Sequence, residues 1–179
     1  KEAIIPEGAS VIPKSQFFEC RSLEKVYLPE SVSGIEDYAF ADCHVLKVQE
    51  SIEKLSLKSV GISAFENCYA LEFVSLPDSL TVMGGAAFAE CVSVNKLIFS
   101  DTSLLKKIGD HAFRGCRNLK EVYLPDSVEY VGVSAFRDCS SLEQISVSEK
   151  IKKQPGIAEL EKNCPNARIR FREVNSVEK

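Results

Sequence analysis

The sequence contains only two histidines, His44 and His111, and no two of its seven cysteines stand closer than 23 residues. Zinc ligands come as C-x-x-C pairs or with histidines nearby, so no metal site is expected. There is no glycine-rich phosphate loop and no paired-carboxylate motif, and neither histidine has a nucleophile beside it in a recognisable motif. Both read as solvated surface residues, and the chain as a protein without catalysis or cofactor. Basic runs are also missing and the net charge is −4, which argues against nucleic acid or an acidic membrane surface as the main partner. No stretch reaches transmembrane length, so no membrane insertion is expected of this segment. It shows no signal peptide and starts at Lys1 rather than methionine, as a processed or excised chain would.

What is present is repetition. The cysteines fall at Cys20, Cys43, Cys68, Cys91, Cys116, Cys139 and Cys164, separated alternately by 23 and 25 residues. Six of them follow a phenylalanine by three residues, in QFFEC, AFADC, AFENC, AFAEC, AFRGC and AFRDC, whereas the seventh, in LEKNC, has lost both Ala and Phe. A repeat that degenerates in its last copy reads as a terminal cap. Pro29, Pro77 and Pro125 keep a step of 48 residues, the sum of the two spacings, inside LPES, LPDS and LPDS. The organisation expected is one array of about seven units over residues 1–171, the first cut by the N-terminus, and an unpatterned tail over 172–179.

Within a unit, Leu23 to Leu28 alternates apolar and polar residues, which suits a short strand ended by Pro29. Ile35, Ala39, Cys43 and Leu46 then recur at intervals of four, four and three, the spacing of a short helix that only packing could hold. No single copy can bury both faces, so stacking is required, with the strands in a parallel sheet. Phe17, Phe40, Phe65, Phe88, Phe113 and Phe136 should form one buried column, and Leu23, Leu46, Leu71, Val94, Leu119 and Leu142 another. The seven cysteines read as reduced, buried thiols, since free cysteine is among the most buried residue types. The 25-residue units lack the LP turn, and longer connections are expected around Ser51–Leu57, Ser100–Leu105 and Ser148–Pro155. Gln49 replaces the usual apolar strand residue, which allows a register slip there. Ile157 and Leu160 should stand in for the missing helix residues, and Ile169 and Phe171 suit a last strand.

The pattern L-x-x-V-x-L-P followed by I-x-x-x-A-F-x-x-C-x-x-L resembles the BspA-like class of leucine-rich repeats, over about Ile4 to Phe171. The resemblance implies an α/β solenoid, a right-handed curved horseshoe with its parallel sheet on the concave side and short helices on the convex side. It also implies a secreted or surface-exposed microbial protein that acts in adhesion or recognition.

Strand residues between the buried ones point outward, here Lys25 and Tyr27, Phe73 and Ser75, Lys96 and Ile98, Glu121 and Tyr123, and Gln144 and Ser146. Stacking aligns them into a stripe whose aromatic content suits a binding face for a protein or glycan, although β-propensity alone also recruits such residues. Arg114, Arg117, Lys120 and Arg137 read as a solvated face. A monomeric recognition module is the leading expectation. The alternatives are a spacer that presents another domain and an intracellular interaction module, the latter kept open by the unpaired thiols.

Overall fold

The computed structural model describes residues 1–47, 52 and 54–173, without the side chain of Glu161. Where the chain is described, a coil runs from a strand of a first parallel layer, through a bend, to a two-residue strand of a second parallel sheet, and returns through a layer of turns; the last coil has helix in place of the second strand. In chain order the strands are β1 (Glu2–Ile4), β2 (Val11–Ile12), β3 (Lys25–Tyr27), β4 (Gly34–Ile35), β5 (Ser59–Val60), β6 (Phe73–Ser75), β7 (Val82–Met83), β8 (Lys96–Ile98), β9 (Lys107–Ile108), β10 (Glu121–Tyr123), β11 (Tyr130–Val131), β12 (Gln144–Ser148) and β13 (Arg168–Arg172). The longer strands form a two-stranded sheet, β1 beside β3, and a five-stranded sheet in the order β6, β8, β10, β12, β13, together called the first sheet below; the second runs β2, β4, β5, β7, β9, β11. Gln49 and the slip expected beside it lie outside the described residues.

Among the described strands the inward positions are apolar. In the first sheet Val26, Val74, Leu97, Val122 and Ile145 are buried, and in the second Ile12, Ile35, Val60, Met83, Ile108 and Val131 are. The phenylalanine column forms as expected, with successive rings from Phe17 to Phe136 stacked at centroid distances of 5.1–5.6 Å. The leucine column from Leu23 to Leu142 is buried as well.

The expected helices on the repeat are not formed. Ile35 lies in β4, and the residues after it make consecutive turns in which Tyr38 and Asp42 have positive φ. Two four-residue turns return Ile35, Ala39 and Cys43 to the core at the interval a helix would use, so the spacing alone does not separate the two. The hydrogen bonds decide it. The amides of Ala39, Ala41 and Cys43 bond back within the turns, whereas those of Tyr38, Phe40 and Asp42 donate to Ile62, Ala64 and Glu66 of the next coil. A two-turn helix is marginal in water, and turns that give every second amide to a neighbour are tied into the whole array. Among the described residues helix appears only in the last coil, where Ala-Phe is missing. There α1 (Pro155–Ala158) and α2 (Leu160–Asn163) bury Ile157 and Leu160 in place of the absent residues, and Ile169 and Phe171 lie in β13 as expected. Arg172, assigned from sequence to the tail, belongs to that last strand.

Coils approach closely along one line. A Cβ added to Gly61, Gly84, Gly109 or Gly132 would fall 2.4–2.5 Å from backbone atoms of the preceding coil. These glycines follow the second-sheet strands, and their amides donate to Ile35, Val60, Met83 and Ile108.

Candidate functional site

The first sheet presents its outer face in columns. Pairing sets Phe73 beside Lys96, Lys96 beside Glu121, and Glu121 beside Gln144, while Ser75 stands beside Ile98 and Tyr123 beside Ser146. At the N-terminal end Glu2 pairs with Lys25 and Ile4 with Tyr27. Lys25, Tyr27, Lys96, Ile98, Glu121 and Tyr123 are exposed, Phe73 and Ser75 half-buried. Ser146, expected outward, is buried, in a strand paired along one edge with β10 and along the other with β13.

Arg172 reaches back across β12 to β10. Its guanidinium lies 3.8 Å from the centroid of the Tyr123 ring, donates to the Tyr123 hydroxyl and to the Leu124 carbonyl, and pairs with Asp126 at 3.0 Å. Tyr123, read from sequence as an uncommitted member of the stripe, is therefore partly engaged. Nothing in the repeat pattern announces this contact, which spans 49 residues. At the other end of the sheet the Tyr27 hydroxyl donates to Glu2 at 3.3 Å, and Lys25 pairs with the same carboxylate at 3.6 Å.

A cleft of about 530 Å³ opens beside Ser75 and Ile98, lined also by Leu55, Pro77, Asp78 and Phe99. The connection expected to be long at Ser100–Leu105 borders it. Ser100 and Thr102 both donate to the Asp78 carboxylate, and these two hydroxyls, Ser100 first, hold the carboxyl below its ordinary range.

The cysteines are all free, and all but the half-buried Cys20 are buried. Each buried thiol donates to a phenylalanine carbonyl of the preceding coil, from Cys43 to Phe17 at 3.1 Å through to Cys164 on Phe136 at 3.0 Å. This explains why the position takes a small apolar residue with a proton to give. Burial first, and then the neighbouring thiol Cys20, push Cys43 up to about 12; burial, then Asp138, push Cys164 up to about 11. Cys68, Cys91, Cys116 and Cys139 are raised by the same two causes as Cys43. Thiols held protonated in this way are poor nucleophiles and poor metal ligands, and among the described residues no three potential ligands cluster to hold a metal.

The histidines are half-buried rather than freely solvated. His44 stacks on Tyr69 at 4.6 Å with Asp42 at 3.5 Å, and His111 occupies one of the positive-φ turn positions. On the same layer Arg114 and Arg117 pair with Glu90 at 3.4 and 3.7 Å, and Arg137 pairs with Asp138 at 3.6 Å. The Glu90 carboxylate occupies the space a side chain at position 115 would need, and Gly115 stands there at φ 74°.

The family model described as the BspA type leucine rich repeat region matches in six copies, over residues 1–104 and 49–159. The chain belongs to the BspA-type leucine-rich repeat family. Proteins of this family are typically interaction modules, and its fold is generally a non-catalytic scaffold. No curated protein matches the sequence. Among solved structures, the BspA-type chain is similar to a leucine-rich repeat protein from Bacteroides ovatus, at 21% identity and a TM-score of 0.63, covering 99% of this chain and 61% of that one. It is also similar to a leucine-rich cell surface protein from Faecalibacterium prausnitzii, at 23% identity and a TM-score of 0.59, covering 98% and 60%. The pneumococcal vaccine antigen PcpA aligns at 26% identity and a TM-score of 0.69, covering 84% of this chain and 41% of the antigen. This BspA-type chain thus spans about three-fifths of the first two relatives. No helix among the described residues is long and apolar enough to cross a membrane.

Proposed function

We propose that this chain is the recognition module of a cell-surface or secreted protein, and that it binds a protein or glycan partner through the outer face of the first sheet. The observation that carries the reading is the row of exposed Tyr27 (48%), Ile98 (37%) and Tyr123 (49%), set among Lys25, Lys96 and Glu121, with Phe73 and Ser75 completing the surface. Exposed aromatic and aliphatic anchors inside a charged surround are the make-up of an interface. The description of one relative as a cell surface protein and of another as a vaccine antigen supports the location.

The first sheet would line the concave side of a right-handed horseshoe. The BspA-type repeat pattern is what supports this placement, with the turns and the stacked phenylalanines behind the sheet.

The test is a binding screen of the chain against extracellular proteins and glycans, beside a variant carrying Tyr27→Ala, Ile98→Ala and Tyr123→Ala. The expected result is a partner whose affinity falls at least about tenfold in the variant, as for loss of interface anchors. A partner indifferent to the three changes, or a silent screen, would favour a spacer that presents another domain.

A further inference from the structure

The way Arg172 is held indicates what the first sheet is built to bind. The 48-residue double repeat places three related segments at the end of first-sheet strands, Tyr27-Leu28-Pro29-Glu30, Ser75-Leu76-Pro77-Asp78 and Tyr123-Leu124-Pro125-Asp126. In the third, ring, carbonyl and carboxylate together hold one guanidinium, which stacks on Tyr123, donates to the Leu124 carbonyl and pairs with Asp126. A flat cation on an aromatic face beside a carboxylate is the arrangement in which arginine is preferred over lysine. The second segment has no ring, and its carboxylate is taken by Ser100 and Thr102. The first segment has both parts. Tyr27 and Glu30 are exposed, the Glu2 carboxylate lies against the Tyr27 hydroxyl, and among the described residues no cation stands over the ring.

We infer that Tyr27 and Glu30 form an open site for an arginine side chain of a protein partner, equivalent to the site that Arg172 fills at Tyr123 and Asp126. This rests on the reading of the first sheet as the recognition face and narrows its partner to a protein that presents arginine. The Tyr123 site is filled from within the chain, so the two ends of the sheet differ in what they offer a partner.

The test follows the ring signals of Tyr27 and Tyr123 by NMR, in protein carrying labelled tyrosine, while the capped tripeptide Gly-Arg-Gly or its lysine counterpart is added. In the native protein the arginine peptide should shift Tyr27 saturably and leave Tyr123 in place. The lysine peptide should bind about threefold more weakly or less well still. Glu30→Gln should weaken the Tyr27 response by a similar factor, and Arg172→Gln should make Tyr123 respond as Tyr27 does. A Tyr27 that stays unmoved while Tyr123 responds in Arg172→Gln would overturn the inference, as would a response equal for the two peptides or indifferent to Glu30→Gln. The two readings fail separately. A screened partner lost in the triple variant, with Tyr27 deaf to the arginine peptide, keeps the recognition face and removes the arginine site. Tyr27 responding, with every screened partner indifferent to the triple variant, keeps the site and removes the face.

Discussion

Among the described residues eleven with side chains sit at positive φ, in pairs four apart from Ser15 and Glu19 to Ser134 and Asp138, except that His111 is paired with Gly115. A left-handed conformation costs an L-residue about 1–2 kcal/mol, and the array accepts this because the turns so made direct amides to the next coil. At Ala86 (φ 53°) neither a side-chain hydrogen bond nor a cap compensates, so Ala86→Gly should stabilise by about 0.5–1 kcal/mol, reversing the usual penalty of glycine for alanine. Urea unfolding of the two proteins measures it, and a loss of stability would refute the strain. The core column gives the opposite extreme. Phe113→Ala removes a fully buried ring stacked on both sides and should cost about 3–5 kcal/mol, while Tyr27→Ala should stay within about 0.5 kcal/mol. Similar losses for the two would invert the assignment of inner and outer faces.

At the scale of the element, the second sheet is held by the glycines that follow its strands. Gly109→Ala would drive a Cβ to 2.5 Å from the backbone of Gly84 and Gly85, where no side chain can swing away. We expect a loss of about 2–4 kcal/mol, at the upper end of overpacking effects, seen as a lower thermal midpoint. A change below about 0.5 kcal/mol, the range of ordinary surface substitutions, would mean that the coils can slide apart there. The first sheet and the two core columns were legible in the sequence because alternation in Lys25-Val26-Tyr27 and the phase of the phenylalanines have one structural solution. The second sheet was not, since pairs such as Ser59-Val60 and Lys107-Ile108 are too short to show a period. Ile35, Ala39 and Cys43 return at a step that turns and helices share. A signal for the glycine line was there, for Gly61, Gly84, Gly109 and Gly132 keep the 23 and 25 spacing of the cysteines. For the candidate site, the outward positions followed from strand periodicity, but the reach of Arg172 to Tyr123 joins two different coils and leaves no trace in either one.

The thiol column makes stability of the whole molecule depend on alkaline pH. Buried cysteines titrate far above the ordinary 9.0, Cys43 near 12 and Cys164 near 11, so the folded chain keeps protons that the unfolded chain releases. Below about pH 9 both forms are protonated and the contribution is complete; as pH rises from there toward the folded values it is progressively lost. The denaturant midpoint should therefore fall between pH 7.5 and 10. The fall should shrink in a variant with Cys68, Cys91 and Cys116 replaced by alanine, which separates the thiols from lysine and tyrosine titration. An equal fall in both proteins would show that the column plays no part.

Because the coils are joined mainly by hydrogen bonds that run along the axis of the stack, a pull on the two ends would load those bonds one coil at a time. Resistance would then be low and sequential, each coil peeling from the next while those behind it stay closed. A 23- or 25-residue coil drawn out at about 3.4 Å per residue yields roughly 80 Å, so a force–extension trace should rise and drop in steps of about that length, or of twice that length where the paired coils release together. One single rupture of the full array would show instead that the phenylalanine stack binds the coils into one mechanical body. Stepwise release would let a chain anchored at one end and bound at the other lengthen under flow without breaking its grip.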